Sequence, residues 1–124
     1  KGKRAAEAQH IGLEKAWKAG VPVTIGTDAG TPYNPHWGTY MEFVLFVEDM
    51  GFDPMETLVS GTIRSAEVCG VADWTGSITP GKHADFIVLA ENPVKNIHTL
   101  GNVERVYKDG VLASLPPIDH TRIL

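Results

Sequence analysis

The chain has 124 residues, of which 43% are hydrophobic and 21% are charged, a composition typical of a folded globular domain rather than a disordered segment. Its 11 basic and 15 acidic side chains give a formal net charge of −4, which argues against the basic face that nucleic-acid binding requires. No apolar run approaches the roughly 20 residues that a membrane-spanning helix needs.

The single cysteine, Cys69, indicates the cellular compartment. It cannot form an internal disulfide, so we expect a reducing, cytoplasmic location. The chain starts at Lys1 with neither an initiator methionine nor an apolar signal segment. We therefore expect an N-terminal portion to be missing, and the alternative of an exported precursor stays open. Because Cys69 lies in a helical pattern without a neighbouring base, it is predicted to be a buried structural thiol rather than a nucleophile.

The N-terminal quarter has the pattern of an α/β protein. Residues 3–19 follow helical spacing and stop at Gly20. Residues 21–27 form an apolar, β-branched run that predicts a strand. A helix, a short loop and an apolar strand in this order are typical of a parallel sheet, whose strands are covered on both faces. The chain holds no second unit of this kind, so the strand is expected to find its neighbours elsewhere.

Two helices are predicted next. Residues 29–37 form a loop with two prolines, and a largely apolar helix follows at about residues 38–50, which we expect to be mostly buried. Asp53 then begins another helix, because its side chain can cap the N-terminus and Pro54 suits the first turn. Gly70 ends that helix.

The last third of the chain is a small β region. Residues 80–81, a Pro-Gly pair, suit a type II turn. Residues 86–89 and 103–107 are predicted strands, and the Asp-Gly pair at 109–110 signals a hairpin to a further short strand. Asp85 stands directly before the first strand and is expected to hold the preceding turn.

Asp28 is the strongest candidate for chemistry. It directly follows the predicted strand, and in a (β/α)-barrel the C-terminal ends of the strands face the active site. A carboxylate at that place can bind a metal ion and take a proton from an attacking water. The pattern alone nevertheless favours an aspartate that stabilises a turn or caps the next helix.

The histidines do not form a metal site by their spacing. None pairs as His-x-His and none lies three or four residues from another, whereas catalytic zinc usually has three protein ligands. His36 follows Asp28 in the loop expected on the same face, so it is a candidate for substrate contact, although a solvated loop histidine fits equally well. The other four are expected to be solvated: His10, His83, His98 and His120.

Two long segments have sequences that are more specific than their periodicity. Residues 20–32 read GVPVTIGTDAGTP, and residues 76–89 read GSITPGKHADFIVL. The first resembles the eighth-strand segment of the amidohydrolase superfamily, in its imidazolonepropionase-like and Xaa-Pro dipeptidase-like branch. The second resembles the return of that family into its small β domain. Order and spacing agree from about residue 10 to residue 113.

The resemblance implies a fold. The chain would be an α/β protein, the C-terminal fragment of a (β/α)₈ metal-dependent hydrolase barrel with part of a small β-sandwich. Residues 1–74 would supply the last helices and the eighth strand of the barrel, residues 75–113 the C-terminal strands of the sandwich, and residues 114–124 a tail. A whole barrel takes about 250 residues, so its other segments must come from another part of the polypeptide or another subunit.

The resemblance also implies an activity, the metal-dependent hydrolysis of carbon–nitrogen bonds in small amides, cyclic amides or dipeptides. Family members bind one or two divalent ions, zinc above all, through a His-x-His pair, often a carboxylated lysine, two further histidines and an aspartate that is also the general base. Asp28 matches that aspartate, and the resemblance reverses the preference given by pattern alone. The other ligands have no counterpart here, so this chain alone is expected to be inactive.

Two further hypotheses stay open. A truncated, non-catalytic remnant would act through oligomerisation, with a partner subunit covering residues 21–27 and 38–50. A small-molecule binding module would use the 29–37 loop, but it needs a pocket that such a fragment can hardly enclose. An oligomer is expected, and neither nucleic acid nor a membrane is.

Overall fold

The computed structural model describes residues 2–31 and 34–114, with side chains from residue 10 onward. Its helical part comes first and its sheet last, as the sequence predicts. The regular elements are α1 (Gly2–Lys18), a 3₁₀ turn (His36–Gly38), α2 (Tyr40–Val44) continued by a π-helical turn (Leu45–Asp49), α3 (Pro54–Ser60), α4 (Ile63–Val68), β1 (Phe86–Leu89), a 3₁₀ helix (Ile97–Gly101), β2 (Val103–Lys108) and β3 (Val111–Leu112). No helix in these residues is both long enough and apolar enough to cross a bilayer.

Local signals in the sequence predicted several elements correctly. The α1 helix ends in a Schellman motif, in which Val21 N–H donates to the Ala16 carbonyl at 3.0 Å and Gly20 has a φ of 77°. The Asp53 carboxylate caps α3 by accepting from Glu56 N–H at 3.0 Å. These signals need only neighbouring residues, which is why they can be recognised without the fold.

The sheet is antiparallel with the order β1-β2-β3. The predicted hairpin is confirmed: Lys108 pairs with Val111, and the two residues between them, Asp109 and Gly110, have φ values of 51° and 77°. Positive φ at both central positions defines a type I′ turn, whose twist matches that of the flanking strands. The Pro-Gly turn is confirmed as well, with Gly81 at a φ of 92° and Lys82 N–H donating to the Thr79 carbonyl at 3.2 Å.

The predicted strand at residues 21–27 does not form. Residues 21–28 carry no strand assignment, and in the described part of the chain the β-ladders join only β1, β2 and β3, apart from an isolated bridge between Thr31 and Asn34. A strand is defined by its hydrogen-bonded neighbours, and a parallel one needs a crossover connection to supply them. The apolar, β-branched pattern is present, but the described residues contain nothing for it to pair with.

The predicted helix from Asp53 to Gly70 is two helices rather than one. The break falls at Gly61 and Thr62, where Thr62 adopts a φ of −123° and a ψ of −98°. The Phe43 ring lies so close to Gly61 that an added Cβ would be 2.3 Å from its Cζ atom. Close packing of an aromatic ring against a bare backbone is a tertiary contact that helical periodicity does not reveal.

The core joins the helices through aromatic rings. Phe46 and Phe52 are buried and meet edge to face at 5.4 Å, and Trp17 of α1 stacks on Phe52 with ring centroids 4.2 Å apart. The Arg64 guanidinium lies 5.8 Å from the centre of the Trp17 ring on α1. The predicted burial of the 38–50 helix holds for Val44 and Phe46, whereas its Met41 is exposed.

Asp85 ties the segment before β1 to the hairpin. Its carboxylate accepts from Thr75 Oγ1 at 3.2 Å, from Lys108 Nζ at 2.7 Å and from Asp109 N–H at 2.9 Å. The Lys108 ammonium, followed by the Asp109 N–H, lowers the pKa of Asp85 from 3.8 to about 2. These contacts join Asp85 to Thr75 and to the hairpin, and none of them reaches the Pro-Gly turn, so the structure does not confirm the expectation that Asp85 holds that turn.

The depressed pKa of Asp85 predicts a pH dependence of stability. A carboxylate with a lower pKa in the folded state stabilises the fold above its unfolded pKa, and that contribution is lost as the pH falls. We expect the free energy of unfolding to drop between about pH 4 and pH 2, and to drop less steeply in Asp85→Asn. Urea unfolding at several pH values measures this, with Asp73→Asn as the matched control. An unchanged slope in Asp85→Asn would contradict it.

Gly76 is predicted to be irreplaceable for two separable reasons. Its φ is 89°, and an added Cβ would lie 2.7 Å from Ala66 Cβ and 3.0 Å from Ile63 Cα. Gly51 has a similar φ of 70° but nothing within 4 Å of such a Cβ, so Gly51→Ala isolates the backbone strain of roughly 1–2 kcal/mol. Gly76→Ala should destabilise by a further 1–3 kcal/mol or so through overpacking. Equal unfolding free energies for the two variants would refute the steric argument.

Candidate functional site

Asp28 lies on an exposed loop that follows the extended residues 21–27. Its side chain is exposed, and its backbone has a φ of 48°. Left-handed backbone is uncommon outside glycine, although Asp and Asn adopt it more readily than other residues. Within the described residues, no hydrogen bond or ion pair involves the Asp28 carboxylate, so its two oxygens are available as acceptors or ligands.

The loop around Asp28 is held by short-range hydrogen bonds. Thr27 Oγ1 accepts from Ala29 N–H at 3.1 Å, so this bond joins the residues immediately before and after Asp28. The Asn34 carbonyl accepts from Gly30 N–H at 2.8 Å, and the Asn34 side-chain amide donates to the Thr27 carbonyl. The backbone on either side of Asp28 is thus bound to one residue further along the loop.

His36 is brought against this loop. Its ring lies beside Gly30, so that a Cβ placed on Gly30 would be 3.2 Å from His36 Nε2. Gly30 has a φ of 101°, and its missing side chain leaves the space that the imidazole borders. His36 is exposed and therefore reachable from solvent, while its contact with a substrate stays a prediction.

The other histidines that the structure describes form no metal-binding group with Asp28. The three within the described residues, His10, His83 and His98, are exposed. Two of them pair with carboxylates elsewhere, His83 Nδ1 with Asp109 Oδ1, and His98 Nε2 with Glu48 Oε1 at 2.7 Å. His120 lies outside the described residues. Across the part of the chain that the structure describes, no group of three or more His, Cys, Asp or Glu side chains could hold a metal ion.

Cys69 is exposed, so the prediction of a buried thiol is wrong. The α4 helix ends at Val68, and Cys69 follows as its C-cap residue. The helical pattern predicted a longer helix than the one that forms. Cys69 therefore follows the last helical residue and does not take a place on the buried face of α4. Its side chain borders an apolar cavity of about 510 Å³ that also touches Ala66 and Phe86.

A second apolar cavity, of about 710 Å³, opens between the helices and the sheet. Phe43 and Leu58 line it from the helical side, and Ile87, Leu89 and Val106 from the sheet. None of the described residues of the 27–36 loop lines either cavity. Asp28 therefore lies on the surface of the chain, away from both concave regions.

Comparison with known proteins places this geometry in a family context. The sequence model described as the Amidohydrolase family matches residues 2–113. An ochratoxinase from Aspergillus niger is 35% identical over 117 residues, which cover 91% of this chain and 24% of the relative. An imidazolonepropionase from Geobacillus kaustophilus is 36% identical over 71 residues, covering 57% of this chain and 17% of the relative.

The fold agrees with a solved structure. A crystal structure of a Xaa-Pro dipeptidase with bound methionine in the active site is 38% identical, with a TM-score of 0.78 over 84% of this chain and 25% of the other. The chain thus spans a quarter or less of the length of these relatives. The described α/β arrangement matches one portion of such proteins, and the rest of their length has no counterpart here.

Proposed function

Because the chain belongs to the amidohydrolase family, we propose that it forms part of a metal-dependent hydrolase of carbon–nitrogen bonds, to which it contributes Asp28 as a metal ligand and general base. The family membership supports hydrolysis of such bonds in general terms. The individual role of Asp28, the metal and the substrate are the finer parts of the proposal. A cytoplasmic location belongs to it too and rests on the single cysteine, Cys69.

The observation that carries the proposal is that the Asp28 carboxylate has no hydrogen-bond or ion-pair partner among the described residues. Surface aspartates in loops commonly accept hydrogen bonds from nearby backbone N–H groups, and this one has no such partner among the described residues. Instead, Thr27 and Asn34 make the loop contacts. A loop that stabilises itself without using its acidic side chain leaves that side chain available for a ligand.

The donor set fits a metal only in part. A carboxylate oxygen is a suitable ligand for Zn²⁺ and for harder divalent ions, but one ligand does not hold an ion, and catalytic zinc sites use about three from the protein. No further ligands stand near Asp28 in the described residues. We therefore propose that they come from polypeptide corresponding to the part of the relatives that this chain does not cover.

The chemistry assigned to this chain is proton transfer and positioning. A bound divalent ion lowers the pKa of a water molecule and polarises the scissile carbonyl. Asp28 would hold one position of that ion and accept the proton of the attacking water through a carboxylate oxygen. His36, which lies against Gly30, would contact the substrate next to the reacting carbonyl.

The proposed substrate class is a small amide or dipeptide. It follows from the relatives, which include an ochratoxinase and a Xaa-Pro dipeptidase, and not from a pocket in this chain. The cavities lined by Phe43 and Ala66 contain none of the loop residues 27–31 and 34–36 that the structure describes. Selection among amides would therefore depend on loops supplied by other segments.

We predict that Asp28→Asn strongly slows hydrolysis in the protein that contains this chain. The amide keeps the shape of the carboxylate but cannot accept the proton, so kcat should fall by about 10²–10⁴-fold. The measurement is hydrolysis of an N-acyl amino acid and an Xaa-Pro dipeptide with added zinc, alongside metal content by elemental analysis. Asp73→Asn, the same change at an exposed carboxylate outside the loop, should retain activity. Full activity of Asp28→Asn would overturn the proposal.

A second candidate, a non-catalytic chain that self-associates, is favoured by the exposed apolar surface. Ile78, Val68 and Val111 are 92%, 76% and 69% exposed. The 710 Å³ cavity lined by Ile87 opens to solvent, and its wall is mainly apolar. Exposed apolar surface can mark a contact surface where it is contiguous, and the apolar wall of this cavity is the contiguous part here. The occupant proposed under this candidate is a second copy of the same chain.

This candidate predicts a dimer or larger oligomer of the chain by light scattering and no stoichiometric zinc. Ile87→Asp should shift the chain towards monomer, because it places a charge in the apolar cavity wall. Ile11→Asp, an equivalent change at an exposed α1 residue, should leave the oligomer intact. A monomer of the unmodified chain, or zinc retained at one ion per chain, would exclude this candidate.

A further inference from the structure

We infer that Asn34 is a positioning residue for Asp28, holding the backbone on both sides of it so that the carboxylate keeps one direction. This inference rests on the proposed function of Asp28. It adds a residue that neither the sequence pattern nor the family resemblance singled out.

Asn34 bonds to the chain before and after Asp28. Its side-chain amide donates to the carbonyl of Thr27, the residue immediately preceding Asp28. Its backbone carbonyl accepts from Gly30 N–H at 2.8 Å, two residues after Asp28. Its own N–H donates to the Thr31 carbonyl at 3.0 Å, which closes the turn. One residue thereby fixes both ends of the short segment that carries the carboxylate.

Asp28 needs such support because of its backbone conformation. A φ of 48° places a non-glycine residue in the left-handed region, which is disfavoured unless the surrounding structure imposes it. If the loop relaxed to negative φ, the Cα–Cβ bond of Asp28 would turn and its carboxylate would move. The Thr27 Oγ1 bond to Ala29 N–H helps, but it spans only the residues adjacent to Asp28.

The role belongs to the Asn34 side chain and not only to its backbone. Any residue except proline at position 34 can supply the backbone bonds to Gly30 and Thr31, but only a side-chain donor can bond to the Thr27 carbonyl. A carboxylate of the same shape accepts and does not donate. Asn34→Asp would therefore place two acceptor oxygens against each other, while Asn34→Gln keeps a donor on a longer arm.

The test compares three variants in the protein that contains this chain: Asn34→Asp, Asn34→Gln and Asn102→Asp. Asn102 is exposed and outside the loop, and its replacement is the matched control. A displacement of about 1 Å can cost about 10²-fold in rate, so we expect kcat to fall by roughly 10- to 100-fold in Asn34→Asp. KM should change little, with partial recovery in Asn34→Gln and wild-type rates in Asn102→Asp.

A second readout does not depend on activity. Amide hydrogen exchange at Gly30 reports the bond to the Asn34 carbonyl, and it should accelerate in Asn34→Asp while exchange in the β1–β2 ladder stays slow. This combination shows a loosened loop in a folded protein. Unchanged Gly30 exchange together with unchanged kcat in Asn34→Asp would overturn the inference.

The design separates this inference from the proposed function. Inactive Asp28→Asn with fully active Asn34→Asp would refute the positioning role and leave the role of Asp28 intact. Active Asp28→Asn would refute the proposed function, and with it the reason to position that carboxylate. A fall in kcat at unchanged KM in Asn34→Asp, with partial recovery in Asn34→Gln, would support both the positioning role of Asn34 and the proposed role of Asp28.

Discussion

The main constraint on this molecule is that an apolar extended segment must pair its backbone with neighbouring strands. Residues 21–27 have the composition of a buried strand and no ladder among the described residues. The loop that follows makes its hydrogen bonds locally, through Thr27 and Asn34. Asp28 therefore stands in a loop whose hydrogen bonds are local, and no described residue bonds to its side chain. Among the described residues, no group of side chains around Asp28 could hold a metal ion, and neither of the two large cavities is lined by Asp28.

Features set by neighbouring residues could be predicted from the sequence. The Asp53 cap, the Gly20 helix end and the Asp109–Gly110 hairpin each depend on a few adjacent side chains and on the φ angles that they allow. Features set by distant contacts could not. The break between α3 and α4 falls at Gly61 and Thr62, where the Phe43 ring from another element packs against the bare backbone of Gly61. Cys69 becomes exposed because the helix that carries it is shorter than its pattern.

The residues of the candidate site also differ in whether adjacent residues or contacts further along the chain determine them. Asp28 was identifiable because its position after an apolar run, together with the wording of residues 20–32, resembles a known family segment. Asn34 was not, since its value lies in a side-chain bond to a carbonyl seven residues earlier, and no periodicity reports a loop that folds back on itself. His36 is intermediate: its place in the loop suggested a role, and the bare backbone of Gly30 explains how its ring fits.

The contact between Phe43 and Gly61 has an evolutionary consequence. The ring leaves no room for a β-carbon, so position 61 cannot take a larger residue while the aromatic ring at position 43 keeps its place. Descendants of this sequence that acquire a larger residue at position 61 should first, or simultaneously, have lost the aromatic ring at position 43. Substitutions at these two sites should therefore be correlated, with a gain in side-chain volume at position 61 accompanying a loss at position 43.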